Sequence, residues 1–300
     1  MDILQLLIIG IILGSIIGLG AMGLTLSYGV MKFANFAHGD FMTLGMFLAY
    51  IVISDLGWGT SPIGNFSFGF GLIPAIILAI FGVGCFAIVT DHFVHRHLRM
   101  RGSGIITMAI ASLGIGIMLR AIIQMVWGPT AFRFSTGINT ALTLPGDLKI
   151  KPDQIFICAI TLLCTIGLYI LLYRTKLGKA MRATSDNSEL ASIAGINTDR
   201  IRMATWGISG GLTAIAGIML AIQSQLRFDT GFTFLLPMFA AVILGGIGNP
   251  WGALLGGLIV GITQELATEW INPGFKPGVP FVLLIAMLLF RPRGIFGSSI

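Results

Sequence analysis

A short polar stretch, Asn35-Phe36-Ala37-His38-Gly39-Asp40, interrupts apolar sequence on both sides. Asn35 or Asp40 is of a type that caps a helix start. Such a start offers free N–H groups and a partial positive charge, which suit a carboxylate. Were this turn near the bilayer middle, Asn35, His38 and Gly39 would face a passing zwitterion. An ordinary turn at the inner membrane edge, capped by Asp40 with His38 at the interface, fits the same residues. A second stretch, Gly245-Gly246-Ile247-Gly248-Asn249-Pro250-Trp251-Gly252, must break a helix, because Pro250 lacks an N–H and disfavours helix at Asn249. Gly245, Gly246, Gly248 and Asn249 there either gate a path or turn a hairpin.

Arg120 lies inside an apolar run with Gln124 one turn later. An intramembrane Arg is costly and points to function. Trp127 is only about 10 Å of helix away, so snorkelling to the headgroups is the expected fate of its guanidinium. Asp91-His92-x-x-His95-Arg96-His97 has the look of a metal cluster. Arg96, Arg99 and Arg101 crowd the same loop and oppose a cation, so it reads as a polar membrane-edge loop. Cys85, Cys158 and Cys164 sit in apolar runs and form neither a disulfide framework nor a metal spacing. No zinc-protease helix, nucleophile elbow or paired intramembrane carboxylates occur. Gly178-Lys179-Ala180 lacks the upstream Gly and the Ser/Thr of a phosphate-binding loop. Catalysis by this chain is not expected.

The elements that must position these residues are membrane helices. Of 300 residues, 55% are hydrophobic and 10% charged, against about 25% charged in soluble domains. The 41 glycines suit helices that pack closely in lipid. Net charge +6 is explained by basic residues at cytoplasmic membrane edges, so nucleic-acid binding is not expected. Apolar runs span 4–30, 41–53, 68–90, 105–127, 155–173, 203–223, 234–247, 251–267 and 279–290. The first has no basic region before it and exceeds a signal peptide's core, so it reads as a retained span. The second, seventh, eighth and ninth fall short of the ~20 residues a span needs, as discontinuous or re-entrant helices do. Short tilted spans or interfacial helices fit as well. The last run must borrow from 271–278 or lie in a thin, protein-surrounded zone. The expected fold is an all-α polytopic bundle of about eight or nine membrane segments, one domain over residues 1–300. The two polar stretches, each before a short run in opposite halves, suggest a degenerate inverted repeat. Loops 91–104 and 174–202 and the tail at Arg291 and Arg293 hold eleven of the Lys/Arg residues. Positive-inside orientation then puts them in the cytoplasm, the C-terminus with them and the N-terminus outside. The longest outer loop is 128–154, with turn residues at Pro129, Pro145-Gly146 and Pro152-Asp153.

Segment 174–202 is the exception to the apolar rule: mixed-charge, helical in character and set between two spans. It is too structured for a tether and too short for a domain, which suits a docking element for a soluble partner; a membrane-surface helix without a partner is the alternative. Residues 176–192 can form one amphipathic helix with Leu177, Met181 and Leu190 as apolar contacts. Gly195 breaks it, and Asn197-Thr198-Asp199 can cap the next span.

Three segments resemble the shorter permease subunit of bacterial branched-chain/neutral amino-acid ABC importers. They are 26–40, which ends in Asn35-Phe36-Ala37-His38-Gly39-Asp40; the coupling segment 182–197; and 241–253 around Gly245-Gly246-Ile247-Gly248-Asn249. With length and span order, the match covers essentially the whole chain. The coupling segment is similar to the broader ABC-permease signature of Glu followed six residues later by Gly, here Glu189 and Gly195. Leu190 replaces the signature's first Ala, and no Leu-Pro pair follows. The resemblance implies a permease that pairs with a second homologous permease, two ATP-binding subunits and an extracytoplasmic solute-binding protein in the bacterial inner membrane. ATP and magnesium would be bound by the partners. Arg182, Asp186, Glu189 and Gly195 would couple to the ATPases. Asn35, His38, Gly39, Gly245, Gly246, Gly248 and Asn249 would line the translocation path.

Two rivals compete. A urea or short-amide importer of the same family often carries a long extra N-terminal region, which this chain lacks. A stand-alone secondary carrier or channel would need intramembrane ionisable groups, and only Arg120, Glu265 and Glu269 are offered. A membrane enzyme lacks any acid, base or metal set.

Overall fold

The computed structural model describes residues 3–59, 61–134, 142–144, 148–291 and 293–297. Residues 145 and 146, expected to turn the outer loop, lie outside the described residues. Six helices are long and apolar enough to cross a membrane: Ile3–Met31, Leu72–Met100, Ile105–Trp127, Pro152–Arg174, Thr198–Gln223 and Pro273–Phe290. The last combines a short 3-10 turn, Pro273–Gly278, with the helix Val279–Phe290. The final run thus lengthens itself with the residues before it, as expected.

In chain order the helices are α1 (Ile3–Met31), α2 (His38–Tyr50), α3 (Leu72–Thr90), α4 (Arg96–Met100), α5 (Ile105–Trp127), α6 (Pro152–Tyr169), α7 (Lys176–Asp186), α8 (Ser188–Ile193), α9 (Thr198–Gln223), α10 (Thr230–Gly245), α11 (Pro250–Ala267) and α12 (Val279–Phe290). Wide turns Ile51–Asp55, Asp91–His95 and Ile170–Arg174 extend α2, α3 and α6. A small antiparallel pair, Leu142–Leu144 with Leu148–Ile150, lies between α5 and α6. The fold is an all-α polytopic bundle.

Helices α1 and α9 are the buried centre, and α1 is apolar on every side, as a helix enclosed by others must be. What seats α1 is small side chains. Gly10, Gly14 and Gly18 recur every fourth residue and so share one face. Gly257 and Gly261 of α11 answer them. A Cβ on Gly14 would come within 2.7 Å of the Leu258 Cα, and one on Gly10 equally close to the Ile262 Cα. Backbones therefore touch where side chains would otherwise hold them apart, the arrangement that drives association in lipid.

The two ends of the bundle differ. At one end Gln5 exchanges two 3.0 Å hydrogen bonds with the Lys149 backbone. At the other, Arg96 lies 3.8 Å from Asp199, and residues 295–296 bond back to Leu244 and Gly245. The loop after α3, segment 174–202 and the C-terminal residues thus share one face, opposite the start of α1.

The glycine seam gives a direct test. Gly14→Val is expected to cost about 1–3 kcal/mol from overpacking and to lower the thermal midpoint of the purified chain in detergent. Gly114→Ala, where an added Cβ meets nothing within 4 Å, is expected to leave that midpoint level or slightly raised.

Candidate functional site: two helix breaks and a soluble lever

The first break begins at Lys32, with φ +60 the one non-glycine in the left-handed region among the described residues. The chain turns back on itself there. Asn35 Oδ1 accepts the Ala37 N–H at 3.1 Å, closing a local turn, and the Phe36 N–H donates to Ser112 Oγ at 2.9 Å. Helix α2 then starts at His38, whose Nε2 lies 3.0 Å from the Gly20 carbonyl and 2.9 Å from Thr213 Oγ1. Gly20 stands about 16 Å of helix rise before the end of α1, and Thr213 is near the middle of α9. The start of α2 is therefore at mid-bundle depth. His38 is fully buried, and Asp40 does not cap α2. The reading with an interfacial His38 and a capping Asp40 gives way to the deep one.

The tautomer of His38 follows from its partners. A carbonyl can only accept, so Nε2 carries the proton. Thr213 spends its own hydrogen on the Ser209 carbonyl at 2.7 Å and receives from Nε2. Nδ1 is left as an acceptor with no partner among the described residues, as is the donor Asn35 Nδ2. Two unsatisfied polar atoms this close in sequence, both buried, mark a site that structure alone does not explain. Gly39 has a different duty: a Cβ there would strike the Gly231 carbonyl of α10.

Arg120 does not reach for the headgroups. Its Nε and Nη2 donate to the two Asp40 oxygens at 3.0 and 3.2 Å, and its Cζ sits 3.9 Å over the Phe232 ring. The expectation of snorkelling fails because a carboxylate at the same depth repays the desolvation of the guanidinium; bidentate pairing is strong and geometry-specific. Glu265, another of the ionisable candidates, is tied to Lys276 at 2.5 Å.

The second break lies where the sequence placed it. Helix α10 stops at Gly245; Gly246 and Gly248 take φ of +102 and +88, which an L side chain adopts only with strain. Asn249 then caps α11, accepting from Trp251 N and Gly252 N at 3.1 and 3.3 Å. The carbonyls stranded at the end of α10 are taken by Ile295 N and Phe296 N. Gly248 N donates to Thr25 Oγ1 of α1 at 2.8 Å. A wholly apolar cavity of about 340 Å³ lies between the two breaks, bordered by Ala34 and Phe36 of the first, Ile243 and Ile247 of the second, and Phe239 and Leu284.

Segment 174–202 is two helices, not the single one expected over 176–192. Asn187 leaves α7 and caps α8, accepting from Glu189 N and Leu190 N at 3.0 Å each. Asn197 caps α9 in the same way through Arg200 N. Met181 is buried as expected, but Leu190 is 62% exposed and Ile193 83%. Asp186, Glu189 and Gly195 are exposed beside them, and Gly195 takes φ +87. Arg182, also exposed, lies over the Tyr173 ring at 4.8 Å. On its inner side α7 is fixed: Ser185 Oγ donates to the Gly29 carbonyl of α1 at 2.8 Å. Thr25 and Gly29 are one turn apart on α1, so α7 and the second break grip the same helix end.

Sequence reading missed Ser112, Thr213, Ser209, Thr25 and Ser185. All are hydroxyls, and all but Ser185 sit in apolar spans, where such a residue needs a partner; that was the available signal. Residues 91–100, expected as a loop, instead continue α3 helically because each turn hydrogen-bonds onto the one before; there Asp91 is paired with Arg99 at 2.7 Å, and His95 is buried against Trp206 and Phe33. Among the described residues no group of three or more His, Cys, Asp or Glu could hold a metal ion.

Deep helix breaks within a membrane bundle, with a soluble two-helix segment at one end, are features of transport permeases. The same overall fold recurs in a chain of PsaBC from Streptococcus pneumoniae in complex with Fab, at TM-score 0.50 and 13% identity, over 99% of this chain and 94% of that one. Residues 6–288 match the permease component of branched-chain amino acid transport systems, and the chain belongs to that family. It is 31% identical to the high-affinity branched-chain amino acid transport permease BraD of Pseudomonas aeruginosa and 30% identical to LivH of Escherichia coli K12, in each case over 98% of this chain and 95% of that protein. A probable LivH of Methanocaldococcus jannaschii is 31% identical over 96% of this chain and 90% of that protein.

The grip on α1 is testable by exchange. Thr25→Val leaves the Gly248 N–H without its acceptor, a loss of about 1–3 kcal/mol for a buried donor. Deuterium uptake across 245–252 is expected to rise by an order of magnitude or more, with the Gln5–Lys149 end unchanged.

Proposed function

We propose that this chain is the permease half that carries branched-chain amino acids inward through an ABC importer of the bacterial inner membrane. It pairs with a second homologous permease. Two ATP-binding subunits, which hold ATP and magnesium, dock on segment 174–202, and an extracytoplasmic solute-binding protein delivers the cargo. The N-terminus is outside and the C-terminus in the cytoplasm, as the basic loops require.

One observation carries this reading: the lever is bare on one side and fastened on the other. Leu190 and Ile193 stand exposed on an otherwise polar segment, with Asp186 and Glu189 beside them and Arg182 on α7. Apolar residues held in water at the tip of a capped helix suit a protein partner. The opposite side is hydrogen-bonded through Ser185 to Gly29, four residues from the Thr25 that holds Gly248. When the ATPases close, α7 and α8 tilt, the inner end of α1 follows, and the break at Gly245, Gly246, Gly248 and Asn249 reshapes. Asn35, His38 and Gly39 hold the opposing wall at mid-depth. The solutes named for the relatives, together with the apolar cavity between the breaks, favour apolar amino acids as cargo.

The test is uptake of labelled leucine by the assembled importer in proteoliposomes. Glu189→Lys reverses charge at the docking face. Gly195→Pro cannot adopt φ +87 and loses the N–H that donates to the Ser192 carbonyl. Each is expected to cut leucine uptake at least tenfold while the chain still inserts. Uptake at the native rate in both variants, at equal expression, would refute the coupling role.

A further inference from the structure

We infer that the Arg120–Asp40 pair is the permease's own recognition site for the amino-acid zwitterion: substrate carboxylate replaces Asp40 on Arg120 while substrate ammonium takes Asp40. The inference rests on the transport function proposed above and names the group that reads its cargo.

The pair is placed as a recognition site must be. Arg120 is seven residues from Trp127, which packs on Phe47 at 4.8 Å, so the guanidinium lies well below the outer end of the bundle. Asp40 is sealed in, its side chain 2% exposed, whereas that of Arg120 is 21% exposed. An Arg left partly open at this depth is costly against lipid and is met where it lines a polar path or pairs with a charge. Nε and Nη2 are spent on Asp40. No acceptor for Nη1 is found among the described residues, which leaves its two N–H donors for a carboxylate.

The surroundings suit each part of an α-amino acid. Helices α2 and α10 begin side by side here: a Cβ on Gly231 would strike the Gly39 carbonyl, and the Gly231 N–H donates to Thr43 Oγ1 at 2.9 Å. Two helix starts bring partial positive charge to where the carboxylate would sit. Phe232, 43% exposed, offers its ring face to the cation and its edge to an apolar side chain. From there Leu236, Phe239 and Ile243 continue one stripe down α10, with Ile247 of the second break beyond them, along the apolar cavity. A branched aliphatic side chain can follow that stripe while its charged end is held above.

The exchange is balanced in charge. The protein pair is neutral, and so is the zwitterion. Opening one ion pair to form two leaves no charge unpaired at any stage, which is what a low-dielectric site demands. A cargo with only one of the two charges leaves either Arg120 or Asp40 stranded and is rejected. The site therefore selects zwitterions over amides, amines and plain carboxylates, independently of the solute-binding protein.

The experiment measures leucine imported per ATP hydrolysed by the whole importer in proteoliposomes with leucine-loaded binding protein. Two variants are compared with the native chain: Arg120→Lys, which keeps charge but loses the planar fork, and the neutral double variant Asp40→Asn/Arg120→Gln. Leucine per ATP is expected to fall several-fold in the first and at least tenfold in the second. Either variant assembled and importing within twofold of native per ATP would overturn the inference. Should the double variant not assemble, Arg120→Lys decides alone, and failure of Arg120→Lys to assemble would assign the pair a purely structural role. A native chain whose complex shows no ATPase stimulation by loaded binding protein would instead sink the importer reading itself.

Discussion

Backbone inside a bilayer finds no water, so every amide and carbonyl released by a broken helix must be answered by protein. That constraint organises this structure. The first break costs the chain a return run from Lys32 to Ala37 at membrane depth. It is tolerated because Asn35 closes a turn, Ser112 takes the Phe36 N–H, and α2 resumes at once. The second break is held by the same means: Thr25 accepts one bond, Asn249 accepts two, and residues 295 and 296 supply one each. These are single hydrogen bonds, and a net contribution of about 1 kcal/mol each is small enough to be exchanged during a working cycle. The breaks are thus stable yet rearrangeable, unlike the glycine seam between α1 and α11, where backbones touch along several turns.

That contrast gives the molecule a rigid part and a moving part. Helix α1 is packed along its outer and middle turns against α11 and gripped at its inner end by both α7 and the second break. Segment 174–202 meets the membrane helices through Ser185 on Gly29 and through Ser188 of α8, whose hydroxyl accepts from Arg202 of α9 at 2.9 Å. The seal at Arg120–Asp40 sits deeper, where the first turns of α2 and α10 meet. In the mechanism proposed above, the soluble segment drives one end and the Arg120–Asp40 pair closes the other, with the apolar stripe of α10 between them.

Much of this was legible in the sequence. Apolar runs located the spans, and the shortness of the last one correctly required help from its neighbours. Pro250 and the surrounding glycines fixed the second break, since their backbone limits are local. The resemblance carried by Asn35–Asp40 and by 182–197 named the family that the comparisons bear out. What escaped were contacts between residues far apart in the chain. Arg120 and Asp40 are separated by 80 positions, and neither shows periodicity that would announce the other, so a lone Arg near a Trp read as snorkelling. His38 could be read as either deep or interfacial, because its depth is set by α1 and α9 and not by its own neighbours. The split at Asn187 was hidden because an Asn within a helical pattern reads equally as surface residue or cap. Leu190 has the spacing of a core residue, yet it is bare.

The account's central claim is that the two breaks face a path whose opening follows nucleotide, not lipid. Single cysteines at Phe36 and Ile247, in a chain with Cys85, Cys158 and Cys164 replaced, can be labelled with a membrane-impermeant maleimide in the assembled importer. Met118, 50% exposed near the middle of α5, serves as the lipid-facing reference. Labelling at 36 and 247 is expected to be substantial and to change severalfold between nucleotide-free and ATP-trapped states, while 118 stays unreactive in both. Positions 36 and 247 as silent as 118 in every state would contradict the claim.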